Sequence, residues 1–150
     1  MQIIKDHHII DNTWQTVEDD ASVPIGDVVV SLTRWQQEKH QLIGRNRAVG
    51  VRLEPSDDVL TLADDLKHLE LIEINFPDFA DGRGFSQAWL LRERLHYKGE
   101  LRAVGHYMPD QVFYLSRVGV NAFVPERFED MPVLLAKLHD FSVKYQISVN

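Results

Sequence analysis

Leu71-Ile72-Glu73-Ile74-Asn75-Phe76 is followed by Pro77-Asp78-Phe79-Ala80, by Asp81-Gly82-Arg83-Gly84-Phe85-Ser86-Gln87, and then by Ala88-Trp89-Leu90-Leu91-Arg92-Glu93-Arg94-Leu95. The first run alternates apolar and polar side chains with period two, as a strand with one buried face does. The last run is amphipathic at helical spacing. Between them, two glycines enclose an arginine. The segment therefore reads as strand, glycine-rich turn and helix. Glycines let a backbone approach a ligand, and amides at a helix start point at whatever sits there. Arg83 adds a fixed positive charge. Asp81, Gly82, Arg83, Gly84 and Ser86 are thus candidates for an anion cradle, with Ser86 as a hydrogen-bond donor. Turn chemistry offers a second reading: Asp81-Gly82 makes a turn, Gly84 relieves a tight entry, and Ser86 lies near the helix start. The stretch matches neither the dinucleotide fingerprint nor the Walker loop.

The same alternation repeats on both sides of this unit. Upstream, Val28-Val29-Val30-Ser31-Leu32 reads as a strand, and Thr33 as the cap of a helix through Trp35, Leu42 and Ile43 to Gly44. Ala48 to Leu53 is the next strand, with a helix expected over Val59 to Leu66. Downstream come a strand at Leu101 to Gly105, a helix from near Pro109-Asp110 to Gly119, and a strand at Asn121 to Val124. A last helix is expected around Pro132 to Tyr145. At the start, Gln2-Ile3-Ile4 and Ile9-Ile10 flank a polar turn and form a small β element, with Trp14 available to pack on it. The pattern predicts roughly five parallel βα units in one α/β domain over residues 1–150.

Strand patterning bears on the architecture. Val49, Val51 and Leu53 oppose Gly50 and Arg52; Ile72, Ile74 and Phe76 oppose Glu73 and Asn75; Leu101 and Ala103 oppose Arg102. One sheet face would then carry Arg52, Glu73, Asn75 and Arg102, with helices on the other face. That is how a (βα)-barrel interior looks, and five units are too few to close eight strands. A singly wound or half-barrel-like sheet is the natural reading. The alternative is a three-layer doubly wound sheet with the charged positions at strand ends. In the half-barrel, the open polar face must be satisfied by water, by a ligand or by a second subunit, the last giving a homodimer. Arg52, Glu73 and Arg102 would either hold an anionic substrate and orient a base, or form a self-satisfied network.

Composition narrows the chemistry. The chain has 150 residues, 44% hydrophobic and 26% charged, with a formal net charge of −7. An acidic chain offers no basic footprint for nucleic acid or anionic membrane. With no cysteine, thiolate zinc sites, all-cysteine clusters and dithiol chemistry are excluded. No His/Asp/Glu set has metal-ligand spacing, and no cofactor fingerprint is present, so neither metal nor cofactor is expected. His106 follows the fourth predicted strand and could act as an acid or base, but no orienting partner is evident. Arg92, Glu93 and Arg94 fall on the expected solvated face of their helix, and Trp89, Leu90 and Phe113-Tyr114 in the expected core. The apolar runs are too short to span a bilayer, and a cytoplasmic location is the expectation.

Gly50-Val51-Arg52-Leu53, Phe76-Pro77, Asp81 to Ser86, Leu91-Arg92, Tyr97 to Gly105 and Asp110 to Leu115 occur in this order, with Asp140-Phe141-Ser142 and Tyr145-Gln146 at the end. Together they resemble a bacterial family of unknown function often encoded beside sulfite or nitrite reductase, and often labelled as oxidoreductases of sulfite reduction. Members often carry a cysteine where this chain has Val118, and many have an acidic residue in place of His106. The resemblance implies a pathway more than a mechanism. It implies an accessory or binding protein of assimilatory sulfite or nitrite reduction, without redox chemistry of its own. Such a protein would recognise the reductase, or a small anion, through the 81–87 loop. The alternative is a small enzyme acting on a phosphate- or sulfate-bearing substrate there, with Arg83 holding the anion and Asp81 or Glu73 as acid or base.

Overall fold

The computed structural model describes residues 1–139. Strands β1 (Gln2–Lys5) and β2 (His8–Asp11) form an antiparallel hairpin. Its two turn residues, Asp6 and His7, have φ of 50° and 69°, the positive values that a two-residue type I′ turn requires. Then follow β3 (Gln15–Thr16), β4 (Val28–Ser31), α1 (Leu32–Ile43) and β5 (Val49–Leu53). After β6 (Leu71–Phe76) comes α2 (Arg83–Trp89), which widens into a π turn at Leu90–Arg94. The remaining elements are β7 (Glu100–Gly105), α3 (Val112–Arg117), β8 (Ala122–Phe123) and α4, residues 131–139. The remainder of the expected last helix, with the Asp140-Phe141-Ser142 and Tyr145-Gln146 motifs, lies outside the described residues.

Eight strands form one sheet in the order β2-β1-β8-β7-β6-β5-β4-β3. The run from β3 to β8 is parallel, and β1 joins β8 antiparallel. The two edge strands, β2 and β3, are separated in sequence only by Asn12, Thr13 and Trp14. Those few residues reach at most about 14 Å. Eight strands laid flat would span roughly 34 Å from edge to edge. The chain can connect the two edges only if the sheet curls, and it curls into a half-barrel. The doubly wound alternative is not adopted.

Among the described residues, helices α1 to α4 pack on the outside. Val28, Val30, Val49, Val51, Leu53, Ile72, Ile74, Phe76, Leu101 and Ala103 share one cluster with Trp35 and Leu42 of α1, Ala88 of α2, Val112 and Leu115 of α3, and Leu134 and Leu138 of α4. The alternate strand positions, among them Ile3, Val29, Glu73, Arg102 and Ala122, are buried outside that cluster, in the barrel interior.

Two local expectations change. The N-cap of α1 is Ser31, not Thr33: its Oγ accepts from the Arg34 amide at 3.1 Å and donates to Asp19 at 2.7 Å. The helix expected over Val59 to Leu66 is two 3-10 turns, Val59–Leu62 and Leu66–His68. The break falls at Asp65, whose carboxylate turns inward to accept from Trp35 Nε1 at 2.9 Å and Lys39 Nζ at 3.0 Å. Burial alone would raise the Asp65 pKa, but the Trp35 and Lys39 donors hold it below the ordinary carboxylate value. A depressed carboxyl contributes stability above its unfolded pKa and loses it as pH falls through the folded one. Asp65→Asn is therefore expected to destabilise by roughly 1–2 kcal/mol at neutral pH, with the deficit shrinking in acid. Urea unfolding at pH 7 and pH 3 checks this. Equal stability at neutral pH would contradict it.

Tertiary structure also relocates side chains of the 88–95 run. A π turn holds more residues per turn than an α-helix, so the 3.6 periodicity that sets Arg92 in solvent fails there. Arg92 is half-buried and donates to the carbonyls of Tyr97 (2.7 Å), Gly99 (2.8 Å) and Gly119 (2.9 Å). Trp89 is not core: it is exposed, with the Arg94 guanidinium 5.8 Å from its ring. Tyr114 is exposed as well, edge-on to Phe113.

Candidate functional site

Parallel pairing sets Arg52 opposite Glu73, and Glu73 opposite Arg102, at one level of the sheet. Arg52 Nε donates to Glu73 Oε1 at 2.9 Å, and Arg102 Nη1 lies 3.9 Å from Glu73 Oε2. Arg102 also grips Glu100, with Nη2 at 2.6 Å, and Lys5 Nζ approaches the other Glu100 oxygen at 3.2 Å. The result is a row of alternating sign: Lys5, Glu100, Arg102, Glu73, Arg52. Asn12, in the link between the edge strands, accepts from Arg102 at 3.0 Å. Thr16 Oγ1 lies 3.5 Å from Arg52 Nη2.

Glu73, Glu100 and Arg102 are 3%, 8% and 1% exposed. The centre of the row is therefore buried within the single chain and paired within itself, while its end members, Lys5 and Arg52, stay partly exposed. Glu100 is missed by a strand that starts at Leu101; the signal for it is its place two residues before Arg102, on the same face. Lys5 and Asn12 enter only through tertiary folding.

The loop after β6 is organised by its own residues. Asp81 accepts from the Arg83 amide at 3.0 Å and from the Arg83 guanidinium at 2.7 Å (Nη2) and 3.0 Å (Nε). The Arg83 side chain and amide bring the Asp81 pKa down to about 2, so the pair stays ionised across the physiological range. The Arg83 side chain is nevertheless 62% exposed. Gly84 is fixed by packing: a Cβ there would stand 2.6 Å from the Phe76 ring. Gly82 has an ordinary right-handed conformation and open space where a Cβ would be, so neither turn nor packing demands glycine. Ser86 is exposed on α2. Among the described residues no hydrogen bond or ion pair joins this loop to Arg52, Glu73 or Arg102. The sequence-derived candidates therefore form two separate groups.

A third feature lies at the carboxyl ends of β6, β7 and β8. A cleft of about 500 Å³ opens there between Pro77, Met108 and Leu134, with His106, Tyr107 and Glu126 among its lining. His106 Nδ1 is bonded to Glu126 Oε1, the orienting partner that sequence reasoning did not find. Glu126 lies twenty positions away on another loop, so no local spacing signals it. Tyr107 contributes its ring only: its hydroxyl donates to the Val124 carbonyl at 2.6 Å, and burial pushes its pKa up. Arg127 reaches Asp130 Oδ1 at 3.3 Å, both in the cleft lining. Among the described residues no group of three His, Asp or Glu side chains is arranged to hold a metal, and no helix is long and apolar enough to cross a membrane.

The fold and these sites define an α/β half-barrel with an internally paired charge row and its accessible polar groups at the strand carboxyl ends. The chain belongs to the family described as bacterial protein of unknown function (DUF934), which matches residues 50–150. The match starts within β5 and takes in the 81–87 loop, the cleft residues and four members of the charge row. No match was found among curated proteins or among solved structures.

Proposed function

We propose that this protein is an accessory binding protein of assimilatory sulfite or nitrite reduction, without redox chemistry of its own, whose partner is the reductase. The pathway rests on the sequence resemblance. The mode of recognition rests on one observation: Arg83 is exposed yet held in a single geometry by Asp81. An arginine already fixed loses little side-chain entropy on binding, which suits it to anchor a protein interface. Its Nε and Nη2 edge, one of the two edges that can grip an oxyanion bidentately, is occupied by Asp81, and the carboxylate cancels its charge. The geometry thus supports a partner protein over a free small anion. The open backbone at Gly82 adds room for close approach.

Co-purification and interferometry with the reductase are expected to give a complex that Arg83→Ala weakens by about tenfold with the melting temperature unchanged. Sulfate, sulfite and phosphate are expected to give no Arg83-dependent thermal stabilisation. Absence of a complex at micromolar concentrations would sink the reading. Stabilisation by sulfate or phosphate that Arg83→Ala abolishes would instead favour the enzyme alternative.

A further inference from the structure

We infer that the cleft at the carboxyl ends of β6, β7 and β8 binds an organic cation, an amine or guanidinium group carried on an apolar stem. The inference uses residues outside the 81–87 loop and stands independently of the reductase reading. Position is the first support. In parallel α/β sheets ligands collect at the carboxyl ends of the strands, and about 500 Å³ is within the usual range for a small-molecule site.

The balance of donors and acceptors selects the ligand. Asp78, Glu126 and Asp130 bring three carboxylates to the cleft, against one guanidinium, Arg127. Arg127 is already engaged by Asp130. His106 Nδ1 is paired with Glu126 Oε1, which turns Nε2 to the other side of the ring. The unfilled capacity of the cleft is therefore acceptor capacity with an excess of negative charge. A ligand that fits must bring N–H donors and a positive charge. An anion would have to separate Arg127 from Asp130 and still face the carboxylates.

The walls supply the rest. Pro77, Met108 and Leu134 offer apolar surface for a stem, and Met108 adapts to its shape. Both sides are pinned in advance by one residue. Gln111 Oε1 accepts from the Met108 amide at 2.7 Å, and Gln111 Nε2 donates to the Phe79 carbonyl at 3.0 Å. A cleft whose walls are tied together before binding loses less order on binding.

Calorimetric titration of the full chain tests this with three probes: agmatine, Nα-acetyl-arginine amide, and valerate, which has a similar stem but carries a carboxylate. At least one of the two cations is expected to saturate with a dissociation constant of about 1 mM or tighter, with no binding by valerate. Glu126→Gln and Asp130→Asn are each expected to weaken the cation by about fivefold at unchanged melting temperature, and cation binding is expected to shift the ¹⁵N resonance of His106 Nε2. Tighter binding of agmatine assigns the site to a free small-molecule cation. Tighter binding of the capped arginine assigns it to a basic side chain of a partner protein. Failure of both cations to saturate, equal binding of valerate, or full affinity in both variants would overturn the inference.

Discussion

Arg102→Ala is expected to lower the unfolding free energy by about 3–5 kcal/mol. Arg102 stands between two buried carboxylates, 2.6 Å from Glu100 and 3.9 Å from Glu73. Its removal leaves both in the half-barrel interior with only the partly exposed end members of the row, Lys5 and Arg52, as counterions. It also removes one of the two donors to Asn12 Oδ1, leaving the Trp14 amide, and with it one tie on the link between the edge strands. The size of the loss reflects uncompensated buried charge, not the intrinsic strength of the pair. A second variant separates the two. Replacing the row jointly, as Glu73→Gln, Glu100→Gln and Arg102→Met, removes the charges that need compensation, and is expected to recover a large part of the deficit. Urea unfolding of the three proteins measures this. An Arg102→Ala protein within about 1 kcal/mol of the wild type would show that water reaches the row and that the interior is not closed.

Arg92→Ala is expected to cost about 3 kcal/mol. The Arg92 guanidinium satisfies three backbone carbonyls at once, those of Tyr97, Gly99 and Gly119. Two belong to the connection from α2 to β7 and one to the connection from α3 to β8. Gly119 completes the joint: its φ is +105°, and a Cβ there would meet Arg92 Cγ at 2.2 Å. A lysine cannot reproduce the planar fork, so Arg92→Lys is expected to restore less than half of the loss. Beside the joint, the Leu101 amide donates to Asn121 Oδ1, which also lies 3.4 Å from Arg92 Nη2. Hydrogen exchange at Leu101 is therefore expected to accelerate along with the drop in urea midpoint. Unchanged exchange there would mean that the two connections are held by other contacts.

These two arginines mark different limits of sequence reading. Arg52, Glu73 and Arg102 were legible, because period-two alternation assigns a strand residue to a face before any tertiary contact is known. Arg92 was misplaced, because its position follows from a π turn whose wider period the side chains do not announce. The 81–87 loop was recognised as strand, turn and helix start. Its two glycines, however, serve different ends: Gly84 makes room for Phe76, and Gly82 answers to no contact in the fold. The His106–Glu126 pair was out of reach, since its members come from the loops after β7 and β8, and only the parallel order of those strands brings them together.

The α/β class, the parallel strand–helix order and the charged face of the sheet all follow from local periodicity along the chain. Tertiary structure decided the curl. Three residues between two edge strands leave the sheet no flat solution. The same curl turns the charged face inward, where the members of the alternating row from Lys5 to Arg52 pair with one another, and leaves the strand carboxyl ends as the accessible surface on which a partner or ligand can be met.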